Sequence, residues 1–175
     1  MTDPRYPIGR AEMEKELSPE RRRELIDQIE ETPARLREAV TGLNAEQLDT
    51  PYRPGGWTVR QLVHHVPDSH LNAYVRFKLA LTEDEPAIKT YEEARWAELP
   101  DSRSVPVDIS LSLLENLHRR WVALLRALPV ADFQKTLKHP DWGTINLDEL
   151  LGLYSWHGRH HVAHVTALRE RMGWR

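Results

Sequence analysis

Four long stretches of this chain place apolar residues three and four positions apart, and none shows a strong strand-like alternation. Such spacing winds one apolar stripe along each helix, and four stripes of similar length are satisfied by burial against one another. The expected fold is therefore all-α, a four-helix bundle, with residues 1–175 forming one domain. A chain of this size buries about 70% of its unfolded surface, enough for a sizeable core.

Local signals set the expected boundaries. Ser18 is placed to cap the first helix, and Pro19 suits its first position, where a missing N–H costs nothing. Leu25, Ile29, Leu36, Val40 and Leu43 carry its stripe, with Pro33 expected to kink or interrupt the run. Asn44 to Gln47 reads as a capping box for a short helical turn. Thr58 and Gln61 form a second box, opening a helix that should reach about Leu81. Leu62, Val66, Ala73 and Phe77 form its stripe, with His65 and Ser69 at the border. Pro67 is expected to bend it within a turn of His65. The longest connection, with a short helix around Trp96, leads to a third helix from about Val107 to Leu128. There Leu114, Leu117, Trp121, Leu124 and Leu128 should face inward. "HPDWGT" is a turn, with room for a small hairpin, and Asn146 and Glu149 cap a last helix running to about Met172.

Four of the nine histidines fall in "HGRHHVAH", residues 157–164. Leu150, Tyr154, His157, His161, Val165 and Leu168 share one helical face, so His157 and His161 point toward the core. Imidazoles at i and i+4 lie one turn apart and can chelate a single ion. His160 and His164 form a second such pair, rotated about 60 to 100° off that face. On the second long helix, "HHVPDSH" offers His64, His65 and His70, of which His65 borders the apolar stripe. Burying unpaired imidazoles is costly, which favours a shared metal ion over three isolated core histidines. His64, His70 and His160 are expected at the surface or behind the ligands. His118 and His139 follow no pattern and read as ordinary structural residues.

Composition removes several function classes. A net charge of −3 leaves no excess of Lys and Arg to neutralise nucleic-acid phosphates. Nothing approaches the roughly 20 consecutive apolar residues of a membrane span. "MTDPRYPIGR" lacks the basic-then-apolar order of a secretory signal, so the cytoplasm is the expected location. The absence of cysteine excludes disulfides, thiolate ligands and a cysteine nucleophile from this chain.

"YPIG", "LDTPYRPGGWTVRQLVHHVPDSH", "RFKLALTEDEPAI" and "LYSWHGRHHVAH" together resemble the YfiT-like branch of the DinB superfamily, over Tyr6 to Trp174. Members of that branch are described as metal-dependent hydrolases, and some relatives act as thiol S-transferases. The resemblance implies a four-helix bundle, a homodimer, and a metal triad of one histidine on the second helix plus an H-x3-H pair. Carried onto this sequence, the triad is His65, His157 and His161, with His64 the neighbouring alternative to His65. Pro67 departs from the branch, which has a small helix former there.

An ion held by three neutral imidazoles keeps its double charge and at least one open position, the catalytic pattern. Zinc and nickel both suit imidazole. Hydrolysis would use the ion to acidify a water, and Asp68, one turn after His65, is the nearest carboxylate in sequence for base or orienter. Thiol S-transfer would use it to acidify a low-molecular-weight thiol such as bacillithiol, whose carboxylate Arg60, Arg76 or Arg159 could hold. A third expectation is a structural or regulatory ion, with His160, His164 or Asp68 completing its shell.

Overall fold

Helices account for most of the chain in the computed structural model, which describes residues 3–174. The long ones are α1 (Pro19–Val40), α3 (Val59–Thr82), α6 (Val107–Ala127) and α7 (Leu147–Met172). Short helices α2 (Ala45–Leu48), α4 (Glu93–Trp96) and α5 (Pro100–Ser104) occupy the connections. Strands β1 (Thr136–His139) and β2 (Gly143–Asn146) pair antiparallel, Thr136 opposite Asn146 and His139 opposite Gly143. No helix among the described residues is long and apolar enough to cross a membrane.

The expected caps form. Ser18 accepts from the Arg21 N–H, and Pro19 sits at the first helical position. Reciprocal capping boxes start α2 at Asn44 and Gln47, α3 at Thr58 and Gln61, and α7 at Asn146 and Glu149. Gly173 ends α7 in the left-handed conformation that glycine adopts without steric penalty.

Packing partners define the topology. α1 packs on α7 and α6, while α3 packs on α6 and α7, so α1 and α3 stand diagonally across the bundle. Contacts advance together along α1 and α7: Arg22 meets Asp148, Gln28 meets Ser155, and Arg169 meets the Ala39 carbonyl. These two helices are therefore parallel. The same holds for α3 and α6, where His64 meets Ser110 and His70 meets His118. The order is up, down, down, up, and the parallel step from α3 to α6 requires the long crossover predicted around Trp96.

The apolar core is divided. One cluster gathers Leu25, Ile29, Phe77, Trp121, Leu150 and Tyr154, and the other gathers Leu36, Leu62, Val66, Leu114, Val165 and Leu168. Between them every long helix contributes polar or imperfect core residues: Thr32 and Pro33, His65 and His70, His118, His157 and His161. A polar layer thus crosses the bundle at mid-height.

Two expectations need correcting. Pro33 does not interrupt α1, which continues unbroken to Val40. Toward the end of α6 Val122 and Leu125 are buried, whereas Leu124 and Leu128 are only half-buried.

Candidate metal centre

α3 and α7 run antiparallel, as the contacts of His70 with His157 and of Arg76 with Tyr154 show, so the second turn of α3 meets the middle of α7. His65 on α3 and His157 and His161 on α7 offer ligand atoms that all lie within 4.8 Å of one another. His157 Nε2 is 3.3 Å from His65 Nε2 and 3.2 Å from His161 Nε2. Imidazole nitrogens bound at about 2.0–2.1 Å on adjacent tetrahedral corners stand about 3.3–3.4 Å apart, so the donor set fits a small divalent ion. His65 and His161 are buried, whereas His157 is partly exposed. Burial pushes the His65 imidazole down to about 4. Burial and the adjoining imidazoles hold His157 and His161 well below their ordinary range. All three are therefore neutral ligands at neutral pH.

A chain of hydrogen bonds runs back from His157. Its Nδ1 is 3.1 Å from His70 Nε2, His70 Nδ1 is 2.8 Å from His118 Nε2, and His118 Nδ1 is 2.6 Å from the Ile29 carbonyl oxygen. A carbonyl can only accept, so the His118 proton is on Nδ1, leaving Nε2 as acceptor. His118 is pushed by burial down to about 4, and His70, fully buried, well below its ordinary range, so both are neutral. His70 must then donate from Nδ1 and accept at Nε2, and His157 must donate from Nδ1. The consequence is a bare lone pair on His157 Nε2, aimed at the other two Nε2 atoms. The chain begins at Pro33. In α1 the residue at position 33 would normally donate to the Ile29 carbonyl, but proline has no N–H, and His118 takes the vacancy.

His157 also forms part of the wall of a cavity of about 310 Å³. Ser69 and Arg76 on α3, Tyr91 and Glu93 from the crossover, and Trp142 and Tyr154 complete much of the lining. The crossover is pinned over the site by the hairpin, since the Ile88 N–H donates to the Lys138 carbonyl at 3.0 Å and the Lys138 N–H to the Pro86 carbonyl at 2.9 Å. The His139 and Trp142 rings stack with centroids 4.0 Å apart at the cavity edge. On the far side of the triad, the Trp57 ring lies 4.7 Å from that of His65.

The remaining sequence candidates fall into distinct places. His64 is buried rather than at the surface, with Nδ1 2.7 Å from Ser110 Oγ and Nε2 3.1 Å from the Val105 carbonyl. It points toward α6, away from the triad. His160 is likewise buried, stacked on Trp156 and with its Nε2 3.1 Å from that of His164. His70 lies directly behind His157. Asp68 is half-buried and outside the three-histidine group, with its carboxyl raised to about 6 by burial and by Asp101. Arg60 pairs with Asp49 at 2.7 Å, and Arg159 donates to the Ser155 carbonyl at 3.2 Å. Of the three arginines considered, only Arg76 lines the cavity. Sequence reasoning missed His118, Tyr91 and Glu93. The legible clue to His118 was Pro33 itself, whose position frees the carbonyl four residues earlier.

The sequence profile of the DinB superfamily matches residues 28–165. A Bacillus cereus (strain AH820) protein named "putative metal-dependent hydrolase" is 56% identical over 99% of this chain and 100% of its own length. A Bacillus thuringiensis subsp. konkukian protein of the same description is 55% identical over the same shares. YfiT from Bacillus subtilis, described as a "probable metal-dependent hydrolase with an unusual four-helix bundle topology", is 50% identical and superposes with a TM-score of 0.97, covering 99% of this chain and 100% of YfiT. The parallel α1–α7 and α3–α6 pairs, the triad between α3 and α7, and these full-length similarities place the chain in the DinB superfamily.

Proposed function

We propose that this chain is a metal-dependent hydrolase holding one zinc or nickel ion on His65, His157 and His161. The observation that carries the reading is the convergence of three neutral imidazoles beside a cavity that one of them helps to line. When bound, the ion supplies Lewis acidity, drawing electron density from an oxygen or sulfur placed against it and lowering that atom's proton affinity. The protein's residues do the rest. His70 and His118 hold His157 in one tautomer and one ring orientation. Leu153, Tyr154 and Trp142 form walls that limit water around a substrate. Glu93 is the proposed proton acceptor, because it lines the cavity and partial desolvation raises its carboxyl above the ordinary value, against the opposing pull of Arg76. Asp68 takes a supporting part: its carboxyl, raised to about 6, exchanges protons near neutral pH, and its charge acts on Tyr91. The proposed setting is a cytoplasmic homodimer acting on a small molecule.

Thiol S-transfer is the second reading, favoured by the make-up of the triad group, which includes no carboxylate among the described residues. A thiol made acidic by the ion attacks an electrophile without further help from a base. Zinc- and nickel-loaded protein should be assayed for ester and amide hydrolysis and, separately, for consumption of a small thiol with an electrophile. Hydrolysis that disappears in His157→Ala and falls about 10²- to 10⁴-fold in Glu93→Gln supports the first reading. Thiol consumption that survives Glu93→Gln supports the second. Metal-loaded protein inert in every assay would overturn both.

A further inference from the structure

Arg76 is a buried cation that shares a cavity wall with Glu93 but has no carboxylate paired directly to it among the described residues. The residue is 6% exposed, yet no carboxylate oxygen lies within 4 Å of its guanidinium among the described residues. It donates from Nη1 to the Tyr154 hydroxyl at 3.2 Å and from Nη2 to the Lys89 carbonyl at 3.3 Å. These two bonds leave three of the five guanidinium N–H donors unassigned. Holding a charge out of water with only neutral hydrogen-bond partners is unfavourable, and an arriving anion would offset that cost. Arg76 lines the same cavity as His157, and so does Tyr91, whose buried hydroxyl has no hydrogen-bond partner. Two unsatisfied donor groups therefore face one space beside the triad.

We propose that Arg76 is the anchor for a carboxylate on the substrate, with the Tyr91 hydroxyl as its companion donor. The inference rests on the reading of this cavity as the substrate site and narrows it: the substrate is a small carboxylate-bearing molecule whose reacting end reaches His157. A carboxylate fits better than a phosphate because the cavity offers one guanidinium and no lysine, while Glu93 and Asp141 already place carboxyl groups on the same lining. Glu93, on the same wall, would repel a dianion more strongly than a monoanion. Planar guanidinium and planar carboxylate also match as a two-pronged pair.

The test uses propionate, its neutral counterpart propionamide, and inorganic phosphate, titrated into metal-free and zinc-loaded protein while the arginine side-chain N–H signals are followed by NMR. Propionate is expected to shift the Arg76 signal in both forms and to bind at least about tenfold more tightly than propionamide. Arg76→Gln should erase that preference, Arg76→Lys should keep part of it, and Tyr91→Phe should weaken it less than Arg76→Gln. The wild-type titration stands even if a variant fails to fold. Equal binding of propionate and propionamide would overturn the proposal. So would tighter binding of phosphate than of propionate. Propionate binding seen only with zinc and unchanged in Arg76→Gln would also overturn it, because the carboxylate would then sit on the ion. The metal-free arm reads the anchor independently of the metal, so loss of the metal reading alone leaves its result intact.

Discussion

His118 Nδ1 donates to the Ile29 carbonyl at 2.6 Å, and that bond fixes the protonation of a ring two histidines away. Each neutral imidazole has one N–H and one lone pair, so a donor at one end dictates the tautomer at the other. His118 and His70 pass this constraint to His157, whose Nε2 is left bare for an ion. His118→Phe keeps a flat, apolar-compatible side chain but removes the chain's fixed end. Metal affinity should fall about 10- to 100-fold, the usual cost of losing a partner behind a histidine ligand. Competition with a coloured chelator measures it, and ¹⁵N shifts of His157 should show mixed tautomers in the metal-free variant. Unchanged affinity and a single tautomer would mean that the chain positions nothing.

Acid should unfold the metal-free protein within a defined window. Burial pushes His65 and His118 down to about 4 from 6.5. Between those values the unfolded chain binds more protons than the folded one, so stability rises with pH across the window and is fully present above about pH 6.5. Each imidazole gives up about 1.4 kcal/mol per pH unit as acid is added, against a typical total of about 5–15 kcal/mol. Urea unfolding at a series of pH values should show the decline, with a smaller slope in His118→Phe. A flat profile from pH 7 to 4 would contradict the neutral polar layer.

Gly158 should resist the usual gain from replacing a helical glycine by alanine. A Cβ there would lie 2.6 Å from Thr32 Cγ2 and 2.7 Å from Oγ1, and Thr32 is buried with its hydroxyl bonded to the Gln28 carbonyl at 2.8 Å. The small residue lets α1 and α7 approach beside the triad. Gly158→Ala is expected to destabilise by about 1–3 kcal/mol through overpacking. Adding Thr32→Ala should recover much of the loss. Chemical denaturation of the two single variants and the double variant reads the coupling.

How much of this was visible beforehand follows from the range of each interaction. Caps, helix stripes and the H-x3-H pair are local, and the positions of His157 and His161 follow from 3.6 residues per turn. His65 needed only the added rule that apolar faces meet. The His70–His118 bond joins residues 48 apart on parallel helices, and periodicity carries no information about that pairing. Pro33 reads as a kink or interruption, because the donor that compensates its lost hydrogen bond comes from α6. Tyr91 and Glu93 sit in a crossover placed by long-range contacts, among them the Ala87–Lys138 bridge to the hairpin and the Gln61 bond to the Ala97 carbonyl. The sequence leaves His64 and His160 open between the surface and a place behind the ligands, because their partners, Ser110 and Trp156, give no sign of burying them.

The account depends on one ion shared by three rings. Anomalous diffraction from crystals of zinc-loaded protein, with His157→Ala crystals as the control, locates that ion directly. The account predicts a single peak at about 2.0–2.1 Å from Nε2 of His65, His157 and His161, absent in the variant. A peak on His160 and His164 instead, or no peak between α3 and α7, would contradict it.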